Sequence, residues 1–177
     1  DGATAQNVTL QISGGGAGSD RVLGEVSVIN GELNRVKAGQ CFMGFGYINA
    51  LAGNYSIIQL WNPVGSGKNL ILNKASAYSS SGATMFAKHN VSVGTNTGFI
   101  TNKNLSGAAG VGIINTLNSV SQVGSIFSLV GLPTAGDSKE FQFSEPIIIN
   151  PGYGIVMESG NLAITVYSTY QWNEETI

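Results

Sequence analysis

The chain has 177 residues, of which 42% are hydrophobic and only 10% charged, and its net charge is −2. That length supports one domain with its own core, and the composition is too hydrophobic and too uncharged for disorder. Eight basic residues, scattered singly, leave no electrostatic footprint for nucleic acid, and no run approaches the ~18–20 apolar residues of a membrane-spanning helix.

The opening of the chain differs in kind from the rest. Val8, Leu10 and Ile12 alternate with Thr9 and Gln11 as in a short strand. A Ser13-Gly14-Gly15-Gly16-Ala17-Gly18-Ser19 stretch follows, with the composition of a flexible linker. A lone strand on such a tether is not stable by itself, so residues 1–20 are expected to form an arm that adds to a sheet edge, its own or a neighbour's. Residues 21–177 are then the folded domain.

From Arg21 onward short β-rich runs recur, each stopped by Gly, Asn or Pro. Val22 to Ile29 ends at the turn dipeptide Asn30-Gly31. Cys41 to Ile48 places Cys41, Met43, Phe45 and Tyr47 on one face and Phe42, Gly44, Gly46 and Ile48 on the other. The glycines on that second face signal a close approach to the backbone. Tyr55 to Trp61 and Asn69 to Tyr78 read as strands joined by a hairpin loop. Ser79 to Gly124 reads as long loops with one or two weak strands, and a short helix over Gly110 to Ser119 is an open alternative.

Regularity returns at Ile126 to Val130 and at Glu140 to Phe143. Ile147-Ile148-Ile149 reads as a run buried on both faces, and Asn150-Pro151-Gly152-Tyr153 has the chemistry of a type II turn. Ile155 to Glu158 follows. The last strand, Leu162 to Trp172, groups Leu162, Ile164, Val166, Tyr170 and Trp172 on one face. Eight to ten such strands without an amphipathic helix between them predict an all-β fold, an antiparallel two-sheet sandwich of jelly-roll topology.

Candidate chemistry is thin. Gly65-Ser66-Gly67-Lys68 lacks the first Gly, the Ser/Thr and the helix of a phosphate-binding loop, so a loop between strands is expected there. His89 is the only histidine, in a loop-like stretch with no nucleophile elbow in the chain. Cys41 is the only cysteine and reads as a buried small hydrophobe. Two such residues cannot make a zinc site, and Glu174-Glu175 lacks the Asp-rich loop of a calcium site. No catalytic residue, cofactor or metal is therefore expected, and the chain is read as a non-enzyme. The aromatics Tyr47, Tyr55, Trp61, Tyr153, Tyr167, Tyr170 and Trp172 suit core and subunit interface better than a sugar platform.

The strand ending Ile58-Gln59-Leu60-Trp61-Asn62-Pro63, its Gly-Ser-Gly turn and the following apolar strand resemble small virion proteins of tailed bacteriophages. So does Pro146-Ile147-Ile148-Ile149-Asn150-Pro151-Gly152-Tyr153-Gly154 with the closing strand to Trp172-Asn173-Glu174. The resemblance is to the jelly-roll modules of capsid decoration (cement) proteins, head fibres and tail fibres. It implies a structural protein at the virion surface, a homotrimer, with the arm docking on the major capsid protein or another virion protein. The alternative it implies is a fibre module that binds a host glycan. The residues expected to carry contacts between subunits are Val8, Leu10 and Ile12 in the arm, and Trp61, Tyr170 and Trp172 in the domain.

Overall fold

Alternation decides the first strand. In β1 (Cys41–Ile48) the side chains of Met43, Phe45 and Tyr47 point outward while Phe42, Gly44 and Gly46 are buried, as the two-residue period of a half-buried strand requires. The computed structural model describes residues 35–90, 93–141, 143 and 145–177. The strand patterns expected at residues 8–12 and 22–29, and the arm itself, lie outside the described residues.

Eleven further strands follow: β2 (Tyr55–Asn62), β3 (Lys68–Ser79), β4 (Ala83–Asn90), β5 (Thr95–Asn96), β6 (Phe99–Asn102), β7 (Ile113–Ser119), β8 (Ser125–Leu132), β9 (Ser138–Phe141), β10 (Ile147–Ile149), β11 (Tyr153–Ser159) and β12 (Val166–Thr176). They form two six-stranded sheets. The first, sheet A, runs β10-β3-β12-β1-β6 with β9 also on β3, and the second, sheet B, runs β5-β7-β2-β11-β4-β8. All pairings are antiparallel.

The pairing nests the chain on itself. β1 pairs with β12, β2 with β11, β3 with β9 and β10, and β4 with β8. The first half of the domain is thus one arm of a long hairpin and the second half the other, rolled into two facing sheets. That is the jelly roll, with β5, β6 and β7 inserted between β4 and β8 to widen both sheets at one side.

Turn chemistry sits where the residues put it, but it joins sheets rather than neighbouring strands. Tyr153 N–H donates to Asn150 O at 3.2 Å and Gly152 has φ 87°, the left-handed third position of a type II turn. This turn carries the chain from sheet A to sheet B. The Gly65-Ser66-Gly67 turn, with φ 76° at Gly65 and 69° at Gly67, carries it from sheet B to sheet A, so the expected hairpin loop is a crossover between sheets.

Three other expectations are corrected. The stretch from Ser79 to Gly124 holds the full strand β4 and the seven-residue β7, with no helix over Gly110 to Ser119. Ile148 is 61% exposed, so the triple-Ile run is buried on one side only, because β10 lies at the sheet edge. The last strand runs from Val166 to Thr176, four residues later than its composition suggested, since Ala163 turns with φ 56° and donates its N–H to Asn54 O.

The core lies between the sheets, and the β1 glycines set how closely they approach. A Cβ on Gly44 would sit 2.7 Å from Ile114 Cδ1 and 2.9 Å from the Trp172 ring, and one on Gly46 would sit 2.7 Å from Ile58 Cγ2. Gly112 makes the same room on the other side of the Trp172 indole, 2.9 Å from its Cζ2, and Phe42 stacks on that indole at 5.8 Å. Gly44→Ala should therefore overpack the core and cost about 1–3 kcal/mol. Gly131→Ala, where nothing lies within 4 Å of the new methyl, should leave stability unchanged or slightly raised. Paired urea melts of the two variants test this.

Candidate interaction surface

The two sheets treat their outer faces differently. On sheet B, the outward residues Ile57, Gln59, Val156, Lys88 and Glu158 are all buried, at 0–1% exposure. They are covered by the chain's own loops. Val93 N–H donates to Gln59 Oε1 at 2.9 Å, and Val123 N–H donates to Glu158 Oε2 at 3.0 Å. Beneath this cover Lys88 Nζ meets Glu158 Oε1 at 2.7 Å and lies 5.1 Å from the centre of the Phe86 ring. Trp61, on the same face of β2, is half-buried.

Sheet A has no such cover among the described residues. Strand register lays its outward side chains in three rungs. Tyr47, Tyr167 and Tyr78 form the first. Phe99, Phe45, Thr169, Ser76 and Glu140 form the second, and Thr101, Met43, Gln171 and Lys74 the third. Phe45, Tyr47 and Tyr167 stack in near-parallel pairs, with centroids 6.0–6.4 Å apart. Tyr78 meets Tyr167 edge-on at 5.1 Å. These are the separations at which aromatic pairs attract beyond simple burial. Met43, Phe45, Tyr47, Tyr78 and Phe99 nevertheless remain 36–66% exposed. The only charges on the three rungs, Lys74 and Glu140, neutralise each other at 2.7 Å. The result is an aromatic-rich, net-neutral face.

The residues proposed from sequence for subunit contacts are dispersed. Tyr170 and Trp172 belong to the core, at 0% and 1% exposure, so neither can touch another subunit. The correction has a simple cause: a two-residue period puts them on one face without saying which face is inside. Trp61 is on the covered sheet, and Val8, Leu10 and Ile12 lie outside the described residues. Sequence reasoning missed Phe45, Tyr78 and Phe99, whose register across β6, β1, β12 and β3 no local pattern encodes.

Other candidates resolve into structural roles. His89 is on β4 rather than in a loop, exposed, in register with Ile155 and Ser125. Cys41 is buried and its thiol donates to Asn173 Oδ1 at 2.8 Å. Glu174 is buried near the end of β12. It accepts N–H bonds from Val111 at 2.6 Å and Gly112 at 3.2 Å, and pairs with Lys68 at 2.9 Å. It holds a loop against the end of β12. Among the described residues no group of three or more His, Cys, Asp or Glu could hold a metal. A groove of about 410 Å³ beside β6 includes Asn96, Gly98, Asn102 and Val111. The Asn102 amide there already donates to Gly39 O and Ala108 O and accepts from Asn104 N–H, leaving little to recognise a ligand.

No known protein family, characterised protein or solved structure matches the chain.

Two predictions follow from the buried groups. Glu158→Leu strands the Lys88 ammonium and should cost about 3–5 kcal/mol, whereas Lys88→Met/Glu158→Leu together should recover most of that loss. A urea-denaturation double-mutant cycle measures it. Burial pushes the Tyr170 phenol above the usual tyrosine range, and its hydroxyl donates to Ile58 O at 2.7 Å. Above about pH 10 the unfolded chain alone releases that proton, so stability should fall with rising pH by up to about 1.4 kcal/mol per unit. Tyr170→Phe should lack that part of the slope in melts from pH 9 to 11.

Proposed function

We propose that this protein is a structural, non-catalytic component of a particle surface, assembled through the outer face of sheet A. The observation that carries the reading is the contrast between faces: among the described residues, loops cover the outside of sheet B, and nothing covers the net-neutral aromatic face of sheet A. Exposed apolar patches of this kind mark contact sites, and the low overall charge offers little repulsion between copies. The jelly-roll topology and the resemblance at residues 58–70 and 146–154 favour a bacteriophage virion as the particle, with a decoration (cement) role and three copies around an axis.

The energetics suit a reversible contact. Full burial of a large apolar side chain is worth about 1.5–3 kcal/mol, so covering what remains exposed of five of them gives about 1 kcal/mol each. Two facing patches then offer about 10 kcal/mol against an association cost of about 4–15 kcal/mol. The surplus is at most about 6 kcal/mol, so assembly should be weak and concentration-dependent, at tens of micromolar and above. The glycan-binding alternative would use the same exposed rings, Phe45 and Tyr47, as a stacking platform.

Light scattering behind size-exclusion chromatography tests the reading. The wild type should give a trimer mass at about 100 μM, and Phe45→Ser/Tyr47→Ser should shift it towards monomer while the monomer stays cooperatively folded, its melting temperature lowered only by the lost aromatic contacts. A wild type that stays monomeric, or an oligomer indifferent to the double variant, overturns it. Binding on a glycan array that the double variant abolishes would favour the fibre alternative.

A further inference from the structure

A sandwich exposes sheet edges as well as faces, and bare edges pair with whatever strand they meet. Natural proteins blunt them by shortness, charge, proline or bulges. Three edges here follow that rule. β5 has two residues, β6 has four, and the remaining edge of sheet A is split between β9, which carries Lys139 and Glu140, and the three-residue β10.

The fourth edge follows it only at its start, where the strand is bulged. β8 is an eight-residue strand at the end of sheet B, and among the described residues only β4 pairs with it. Its sequence, Ser125-Ile126-Phe127-Ser128-Leu129-Val130-Gly131-Leu132, contains no charge and no proline. Ile126, Phe127 and Leu129 are 52%, 43% and 60% exposed. A register shift against Ala87 and Lys88 bulges the strand near its start, where Phe127 packs on Phe143 at 6.1 Å. From Ser128 to Leu132 pairing with β4 is regular, so the outer N–H and C=O groups of that stretch are evenly spaced for another strand.

We infer that β8 is a second assembly contact, in which Ser128–Leu132 of one copy pairs antiparallel with the same stretch of a second copy about a local twofold axis. A second copy is the fitting occupant for three reasons. An antiparallel pair of identical strands is self-complementary by symmetry. The absence of charge removes any like-charge clash across the pair. Half-buried Val130, on the core side of the strand, would meet its own equivalent at the axis, and buried Leu132 would face half-buried Ser128 of the second copy, so the small hydroxyl leaves room for the leucine. A charged peptide would find no countercharge on this edge. The contact goes beyond the face of sheet A and does not depend on it. One is a strand edge with twofold symmetry, the other a sheet face with the threefold arrangement proposed above. Together they would link subunits into a closed net.

The test uses the full chain. Leu129→Lys places a charge on the edge and should weaken twofold association at least ten-fold in sedimentation velocity, leaving any sheet-A oligomer in place. Gly131→Lys, at a site with open space for a side chain, is the second variant should the first fold poorly. Hydrogen exchange gives the independent readout: β8 amides pointing away from β4 should exchange fast when dilute and become protected as concentration rises. With no charge on the edge, this association should persist in 1 M NaCl. Lysine variants that associate like the wild type overturn the inference. So do β8 amides whose protection is independent of concentration, including protection already present in a monomer. Loss of association in Phe45→Ser/Tyr47→Ser but not in Leu129→Lys would keep the face and remove the edge.

Discussion

The close approach of the two sheets around Ile114 and Trp172 is the constraint on which the other features depend. Four glycines make it possible. Gly44 and Gly112 clear the space beside the indole, while Gly46 and Gly98 leave room for the Ile114 side chain. With the sheets this near, Glu174, two residues beyond Trp172 on β12, reaches the backbone N–H groups of Val111 and Gly112 and fixes the loop that leads into β7. β7 then extends sheet B, and Asn115 on it donates to Gln59 Oε1 beneath the outer loops. A side chain at any of these glycines would part the sheets and loosen a chain of contacts that ends on the far face.

That far face explains why the two surfaces differ. Holding Lys88 and Glu158 out of water costs several kcal/mol per ion unless the pair is close and its remaining groups are bonded, and the Val123 N–H supplies one such bond. The loops over sheet B are thus anchored by buried polar groups and are part of the fold. Sheet A carries mainly aromatic and hydroxyl side chains, and among the described residues no loop is anchored on it. Its apolar face is satisfied by stacking in the isolated chain and gains further from a partner, which is the property an assembly surface needs.

Much of the architecture was legible in the residues. The first strand falls between the positions its alternation indicates, and its glycines mark the close approach that Trp172 and Ile114 make. The Asn150-Pro151-Gly152-Tyr153 turn has the geometry its residue types require. Elsewhere local pattern ran out for physical reasons. β4 alternates Met85 and Ala87 with Phe86 and Lys88, and a buried lysine reads in sequence as a solvent-facing one. β7 sets Asn115 between Ile113 and Leu117 on its outer side and Thr116 after Ile114 on its inner side, so its period is muted. The side of the sheet on which Tyr170 and Trp172 fall depends on what β12 packs against. The Phe99-Phe45 and Tyr47-Tyr167-Tyr78 rungs join residues dozens of positions apart, a juxtaposition that only the rolled hairpin creates.

The nested pairing also bears on how the molecule is made. β12 lies between β1 and β3, and among the described residues it alone bridges them in sheet A. Until residue 176 has left the ribosome, β1 and β3 have a gap where their shared neighbour belongs, and their apolar sides have nothing to close on. A topology so rich in distant partners collapses late and slowly. The nascent chain therefore carries unmatched strands until β12 has emerged, and its apolar edges stay open to encounters until then.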